Sequence, residues 1–232
     1  MYSSRQCFIQ QKNRHFVYSL IMTEKKAQLF HFDRSGVFHT IEINIHEEPA
    51  AFVRIVLGIC SPDDKVVGFD TSIFWHEDKR YLRTLDENQK EIVYTLLKQP
   101  ALFFRRTIRG RGTICWQGLD GDGRAVIVKD SWRSKDRNPE WELLKEVKGL
   151  AGVGQMVGWE ESGVTTSKLR HFDEDKLSAF VDFRDRLFCR ITMEAYGKTI
   201  DYFRSRHEFL YAFRDAIAGN LFNTVVFLDL TL

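Results

Sequence analysis

Arg109-Gly110-Arg111-Gly112-Thr113, then Ile114-Cys115-Trp116, then Ala125-Val126-Ile127-Val128-Lys129-Asp130-Ser131-Trp132, then Asn138-Pro139-Glu140: these segments, in this order, decide how the chain is read. The first is a glycine turn. The next two are apolar runs with the alternation of half-buried strands. The second glycine cluster, Gly118 to Gly123, reads as the hairpin turn between them. A helical stretch starts near Asn138-Pro139 and carries Glu140 three residues before Leu143-Leu144. The result is turn, strand, strand, helix, with a lysine closing the second strand.

A lysine on a buried strand must find a charge partner or bear a large desolvation cost. A phosphate group and a helix carboxylate both suit Lys129. Glu140 is placed for the second role, while Glu142 and Glu146 compete from other angles of the same helix. The alternative is an edge-strand lysine in water. The glycine turn is weak by itself, because Gly-x-Gly is common in hairpins. Together the parts can clamp a phosphate tail: a flexible backbone covers it, a lysine reaches it, and a carboxylate holds the lysine.

Outward from this segment the chain keeps an α+β pattern. Residues 15–22, 27–32 and 37–45 alternate as antiparallel strands, with a turn at Asp33-Arg34-Ser35-Gly36. Pro49 opens a helix over 50–58 with an apolar face at Phe52, Val53, Val56 and Leu57. Short strands fall near 81–83 and 92–97, and Pro100 marks a boundary. Downstream, 149–159 is a turn and a strand, and 161–176 is a polar loop or insertion. Residues 187–194 form a strand. Residues 205–218 have helical spacing, with Ser205 as cap and Phe209, Leu210, Phe213 and Ile217 on one face. A last strand is expected at 225–228.

The chain has 232 residues, 44% of them hydrophobic, which supports a real core. Its 34 basic residues against 32 acidic leave a net charge of +2, which argues against a dedicated nucleic-acid binder. The four cysteines (Cys7, Cys60, Cys115, Cys189) lack metal spacing and read as small buried reduced thiols. Neither a signal peptide nor a membrane-length apolar run is present, so an intracellular location, cytoplasmic or nuclear, is the expectation. His31 and His39 flank a turn and could face each other as surface residues rather than as a metal site.

The run Gly112-Thr113, Cys115-Trp116, Val126-Ile127-Val128-Lys129-Asp130-Ser131-Trp132 and Glu140-x-Glu142-Leu143-Leu144 resembles the fungal-type protein kinase family, a divergent branch of the protein-kinase-like fold. The resemblance extends upstream through Phe32-Asp33-Arg34-Ser35-Gly36 and Gly68-Phe69-Asp70. Downstream it continues through Tyr196-Gly197-Lys198-x-Ile200, Asp215-Ala216-Ile217 and Leu228-Asp229-Leu230. It implies a small lobe, with an antiparallel sheet plus one helix, and a remnant of the helical large lobe. A strand-rich extension would precede them. The corresponding domains would be 1–100 for the extension, 101–200 for the small lobe and interlobe link, and 201–232 for the remnant.

The same resemblance implies roles. Lys129 would pair the α- and β-phosphates of ATP, held by Glu140, beneath the turn Gly110, Gly112 and Thr113. Met193 to Gly197, with Glu194 and Tyr196, would link the lobes beside the adenine. Asn220 and Asp229 would bind Mg2+, although Asn220 reads equally as a turn residue. Thr231 stands two positions after Asp229, where kinases usually have Gly and this family often Asp.

Kinases also need a His-Arg-Asp-x-x-x-x-Asn loop whose Asp accepts the substrate hydroxyl proton. No His-Arg-Asp string occurs in the chain, and Ala218 runs directly into Gly219-Asn220. The expectation is therefore a domain with no catalytic residue that keeps an ATP site; a truncated or mis-spliced product explains this more simply than a deliberately reduced pseudokinase. The apolar face of helix 205–218 would be poorly covered and open to a protein partner. The alternatives are a non-enzymatic interaction module built on residues 15–100, and an intact kinase using Asp215 or Asp201 as an unusual base.

Overall fold

The computed structural model describes residues 2–97, 101, 103–150, 153–173, 182–195, 203–215 and 217. It is an α+β structure of antiparallel sheets and few helices. The amino-terminal part holds α1 (Tyr2–Gln10) and a four-stranded sheet of β1 (Val17–Met22), β2 (Lys26–Asp33), β3 (Gly36–His39) and β4 (Ile43–Asn44). Central β2 pairs with β1, β3 and β4. Phe8 of α1 packs with Val17 and Phe32, which closes one core cluster.

The helix opened by Pro49 is α2 (Pro49–Ile59), and none of its residues is fully buried. Its expected apolar face needs correction. Phe52, Ile55, Val56 and Ile59, spaced as one helical stripe, are half-buried. Val53 and Leu57 instead stand 52% and 67% exposed.

The larger sheet has eight strands: β5 (Ile73–His76), β6 (Lys79–Leu85), β7 (Glu91–Leu96), β8 (Phe103–Phe104), β9 (Ile114–Leu119), β10 (Ala125–Ser134), β11 (Met156–Thr165) and β12 (Arg186–Glu194). Their order is β11-β12-β10-β9-β7-β6-β5, with β8 also on β9. The sheet runs across residue 100, since β7 pairs with β9 through Thr95↔Leu119 and Leu96↔Gly118. One core cluster joins Leu82 and Tyr94 from before that point to Trp116 and Val128 from after it. Pro100 itself lies outside the described residues.

Two short helices complete this half, α3 (Glu140–Glu146) and α4 (Thr166–Leu169). The polar loop expected from residue 161 is corrected: β11 continues to Thr165 and α4 follows at once. The polarity of the segment serves internal bonds rather than water. Thr165 accepts the Lys168 N–H at 3.2 Å as a helix cap. Buried Thr166 and Ser167 donate to Asp185 at 3.0 and 2.8 Å.

Residues 206–215 are helical, and Ser205 caps them by accepting the Glu208 N–H at 3.1 Å. Phe209 lies between Phe203 and Phe213. Leu210, Phe213 and Ile217 are 60%, 51% and 50% exposed, so the expected apolar face is largely uncovered among the described residues. The strand expected at 225–228 lies outside them.

The hairpin tip between β2 and β3 plugs into the loops of the larger sheet. Asp33 receives two hydrogen bonds from Arg170, both 2.7 Å. Arg34 donates to Thr107 O at 2.9 Å, and Ser35 Oγ lies 2.7 Å from Thr166 Oγ1. Burial lowers the Arg34 pKa to about 10, with Asp33 acting in the opposite direction.

Two smaller expectations also change. His31 is not on the surface: it is buried against Phe16 and lies 3.3 Å from Asp33. It pairs with Phe38 in the ladder, and His39 pairs with Phe30, so the two histidines do not face each other. Cys189 is buried, but Cys7 and Cys115 are half-buried and Cys60 is exposed.

Candidate functional site

β10 sorts its residues by alternation. Val126, Val128, Asp130 and Trp132 are buried, whereas Ile127, Lys129, Ser131 and Arg133 are only partly so. Residues directly opposite each other in an antiparallel ladder share a face. Met193, Ile191 and Cys189 therefore stand with Ile127, Lys129 and Ser131. Of these, Lys129, Ser131, Cys189, Ile191 and Met193 form one wall of a cleft of about 1010 Å³.

Lys129 is on an interior strand, hydrogen-bonded to β9 and β12, and not on an edge. Its side chain is 24% exposed, half-buried rather than fully buried. Its ammonium donates to both carboxylate oxygens of Glu140 at 2.6 Å. Glu142 and Glu146 do not take this place. With Glu140 47% exposed, the pair adds at most about 1 kcal/mol to stability. It positions the lysine more than it holds the fold.

What fixes Glu140 is its neighbour. Trp141 stacks on Trp159 of β11, with ring centroids 3.8 Å apart, and donates from Nε1 to Glu161 at 3.2 Å. Lys145 lies 4.5 Å over both rings. Glu161 also receives Arg133 Nε and Nη2 at 3.1 and 2.9 Å. Thus a seven-residue helix with no buried residue is still docked. Trp141, Trp159, Arg133 and Glu161 were not singled out from the sequence; only the adjacency of Trp141 to Glu140 hinted at them.

The glycine turn lies at the end of β10, where Trp132 N donates to Arg111 O at 2.8 Å. Gly110 N donates to Arg34 O at 2.9 Å. The expected flexible cover is therefore a pinned loop. Gly112 has φ +52, and a Cβ there would stand 2.4 Å from Arg34 Nε. Glycine is required at this position for the approach of Arg34. Thr113 is buried, accepts the Arg105 N–H at 3.0 Å, and lines the cleft with Gly110.

The other face of β10 is structural. Asp130 accepts from Arg190 Nε at 2.6 Å and from Trp116 Nε1 at 2.8 Å. Arg190, 1% exposed, also donates to Asp70 at 2.7 Å and Ser72 Oγ at 2.6 Å. Burial opposes ionising Asp70, but Arg190 and then His15 outweigh it and hold its carboxyl at about 2. The Gly68-Phe69-Asp70 motif thus supplies a buried counter-ion.

Glu194 ends β12, where its N–H donates to Gln155 O at 2.9 Å. Tyr196, Asn220 and Asp229 lie outside the described residues, as does Asp201. Asp215 is exposed on the helix at 206–215 and pairs with Arg214 at 2.7 Å, away from the cleft. Burial, then Glu161, pushes the Cys189 thiol up to about 12, and burial also raises Cys115. Both cleft thiols are therefore protonated near neutral pH. Among the described residues no group of three His, Cys, Asp or Glu side chains can hold a metal ion, and no helix is long and apolar enough to cross a membrane.

A search of curated proteins and of solved structures found no match. A family model described as fungal protein kinase matches residues 1–225. That match spans both sheets, the pinned turn and the Lys129–Glu140 pair, and the chain belongs to the fungal protein kinase family.

Proposed function

We propose that the cleft is a nucleotide site in a kinase-type small lobe, that it takes ATP, and that the chain as it stands does not transfer phosphate. The observation that carries this reading is the bidentate contact of Lys129 with Glu140 on the cleft wall. Protein kinases use a strand lysine paired with a helix glutamate to orient the nucleotide phosphates. The residues present fit a phosphate tail. Seven cationic side chains line the cleft against the carboxylates of Asp136 and Glu140.

In this reading Glu140 keeps the Lys129 ammonium extended from β10, and the Trp141–Trp159 stack keeps Glu140 in place. The pinned turn at Gly110 to Thr113 closes one side. Glu194 and Tyr196 flank the adenine end by family resemblance. Mg2+ would be held by Asn220 and Asp229 and would supply charge neutralisation at the phosphates. The lack of phosphotransfer rests on the absence of any His-Arg-Asp string, the loop whose aspartate accepts the substrate hydroxyl proton; among the described residues Asp215 is exposed, pairs with Arg214 and does not line the cleft. In this scheme the small lobe is the eight-stranded sheet, in which β5 to β7 from before residue 100 join the strands of residues 101–200, and residues 201–232 belong to the large lobe of an intracellular protein.

The test is thermal stabilisation by ATP with Mg2+, compared in the wild type and Lys129→Ala. A shift seen in the wild type and lost in the variant supports the reading; no shift at millimolar ATP, or equal shifts, sinks it. Transfer of γ-phosphate to protein that depends on Lys129 would overturn the deficiency. One observation favours a second reading, a pseudokinase that acts through a protein partner: Leu210, Phe213 and Ile217 leave half or more of their surface in water. Capture of a partner lost in Phe213→Ser supports it, and unchanged capture rejects it.

A further inference from the structure

The whole chain is nearly charge-balanced, with 34 basic and 32 acidic residues. The cleft is not balanced, and its excess charge is not at Lys129, which Glu140 already neutralises. Nor is it at Arg133, which Glu161 pairs. It lies at the far end of the β10–β12 ladder, where Ser134 stands opposite Arg186. Arg111, Arg137, Arg184 and Arg186 line the cleft there. None of the four is ion-paired with a carboxylate among the described residues, whereas neighbouring Lys135 is, to Asp185 at 2.8 Å.

Arg186 is the centre of the group. Burial lowers its pKa first, and Arg109, Arg137 and Arg111 add to this by like-charge repulsion, with Asp136 opposing them. Its Nη1 donates to Trp132 O at 3.3 Å, which fixes the plane of the guanidinium. Its Nε is buried and has no hydrogen-bond partner. A half-buried cation set among like charges with an orphaned donor is unfavourable unless an anion completes it. Ser134 lies five ladder positions beyond Lys129, roughly 17 Å along the strand. The two cationic centres are therefore distinct.

We infer that the arginine end of the cleft is an anion subsite for a phosphoryl group, formed by Arg111, Arg137 and Arg186 and separate from the Lys129–Glu140 pair. Arginine suits this ligand because its planar fork matches phosphate oxygens two at a time. The phosphoryl group has two sources: the terminal part of a nucleotide tail extending past Lys129, or a phosphorylated serine or threonine of a peptide. The subsite shares the cleft with the proposed nucleotide site and deepens that reading, but it does not require ATP to bind.

The test is calorimetric titration of the full chain with inorganic pyrophosphate and with a short phosphoserine peptide, at low and at high salt. At least one probe is expected to bind, more weakly as salt rises. Affinity should fall roughly tenfold or more in Arg111→Gln/Arg137→Gln, about 1.4 kcal/mol. Both of these side chains are exposed, so the fold is retained. Arg186→Lys, which keeps the charge but not the fork, should weaken binding as well. The exposed Arg54→Gln on α2 is the control that leaves it unchanged. Binding of neither probe, or equal affinity in Arg111→Gln/Arg137→Gln and the wild type, overturns the subsite. Displacement of bound probe by ATP assigns it to the nucleotide tail, and simultaneous binding of phosphopeptide and ATP assigns it to a phosphorylated side chain. Failure of ATP alone to bind, with probe binding intact, sinks the nucleotide reading and leaves the subsite standing.

Discussion

A Cβ on Gly112 would lie 2.4 Å from Nε of Arg34 and 2.6 Å from its Cζ. The residue that shapes the glycine turn is thus contributed by the other sheet, from the tip between β2 and β3. Arg34 also donates to Thr107 O and Ile108 O at 2.9 and 3.3 Å, so it sets the path of the turn from within. Two separate costs therefore attach to Gly112→Ala. One is the left-handed backbone, of order 1–2 kcal/mol for alanine; the other is displacement of Arg34. In an Arg34→Ala background the second cost vanishes. Urea denaturation of the double-mutant cycle should show Gly112→Ala costing at least about 1 kcal/mol less in that background. Strict additivity would mean that the contact does not matter.

Lys129 and Glu140 are predicted to be separable from stability. Because both side chains reach water, Lys129→Ala or Glu140→Gln should change unfolding free energy by no more than about 1 kcal/mol. Ligand binding reads differently. At a concentration of about 100 Kd, ATP stabilises a protein by ~2.7 kcal/mol, and both variants should lose most of that shift. If either variant unfolds the chain by itself, the pair is a structural strut and the nucleotide reading loses its main support.

Much of this was legible in the sequence, for a physical reason. Alternation and helix punctuation are local, so β10, the start of α2 and the Ser205 cap follow from neighbours in the chain. The pairing of Lys129 with Glu140 was also readable, because the strand and helix are consecutive. What the sequence hid is long-range. Arg34 and Gly112, or Asp70 and Arg190, are united only by the fold. Polarity misled where it served the interior: Thr166 and Ser167 read as loop because their partner, Asp185, lies beyond a stretch of intervening chain. Apolarity misled at α2, where Val53 and Leu57 face solvent.

Asp130 should behave opposite to its neighbour. It follows Lys129 directly but points to the buried side, where Arg190 and Trp116 bind it. Asp130→Asn leaves Arg190 with one carboxylate fewer in the interior. Removal of one partner from a buried ion pair costs about 3–5 kcal/mol, so the melting temperature should fall far more than in Lys129→Ala. A small loss would mean that Asp70 alone satisfies Arg190.

Stability should fall with acid in two stages. Burial holds the His15 pKa below 6.5, with Asp70 opposing. The unfolded chain therefore takes up a proton as pH falls through 6.5 while the folded chain does not, and stability drops from that point downward. Asp70 works lower. Its pKa of about 2 lies under the ordinary 3.8. Its contribution, on the order of 2 kcal/mol, is fully present above 3.8 and is lost as pH falls through about 2. His15→Phe should flatten the upper stage. The ring packs between Trp132 and Phe188, and its Nε2 has no hydrogen-bond partner to lose. Asp70→Asn should lower stability at neutral pH and remove the lower stage. Denaturation midpoints measured from pH 7 downward decide this, and an unchanged slope just below pH 6.5 in His15→Phe would show that His15 is not the group responsible.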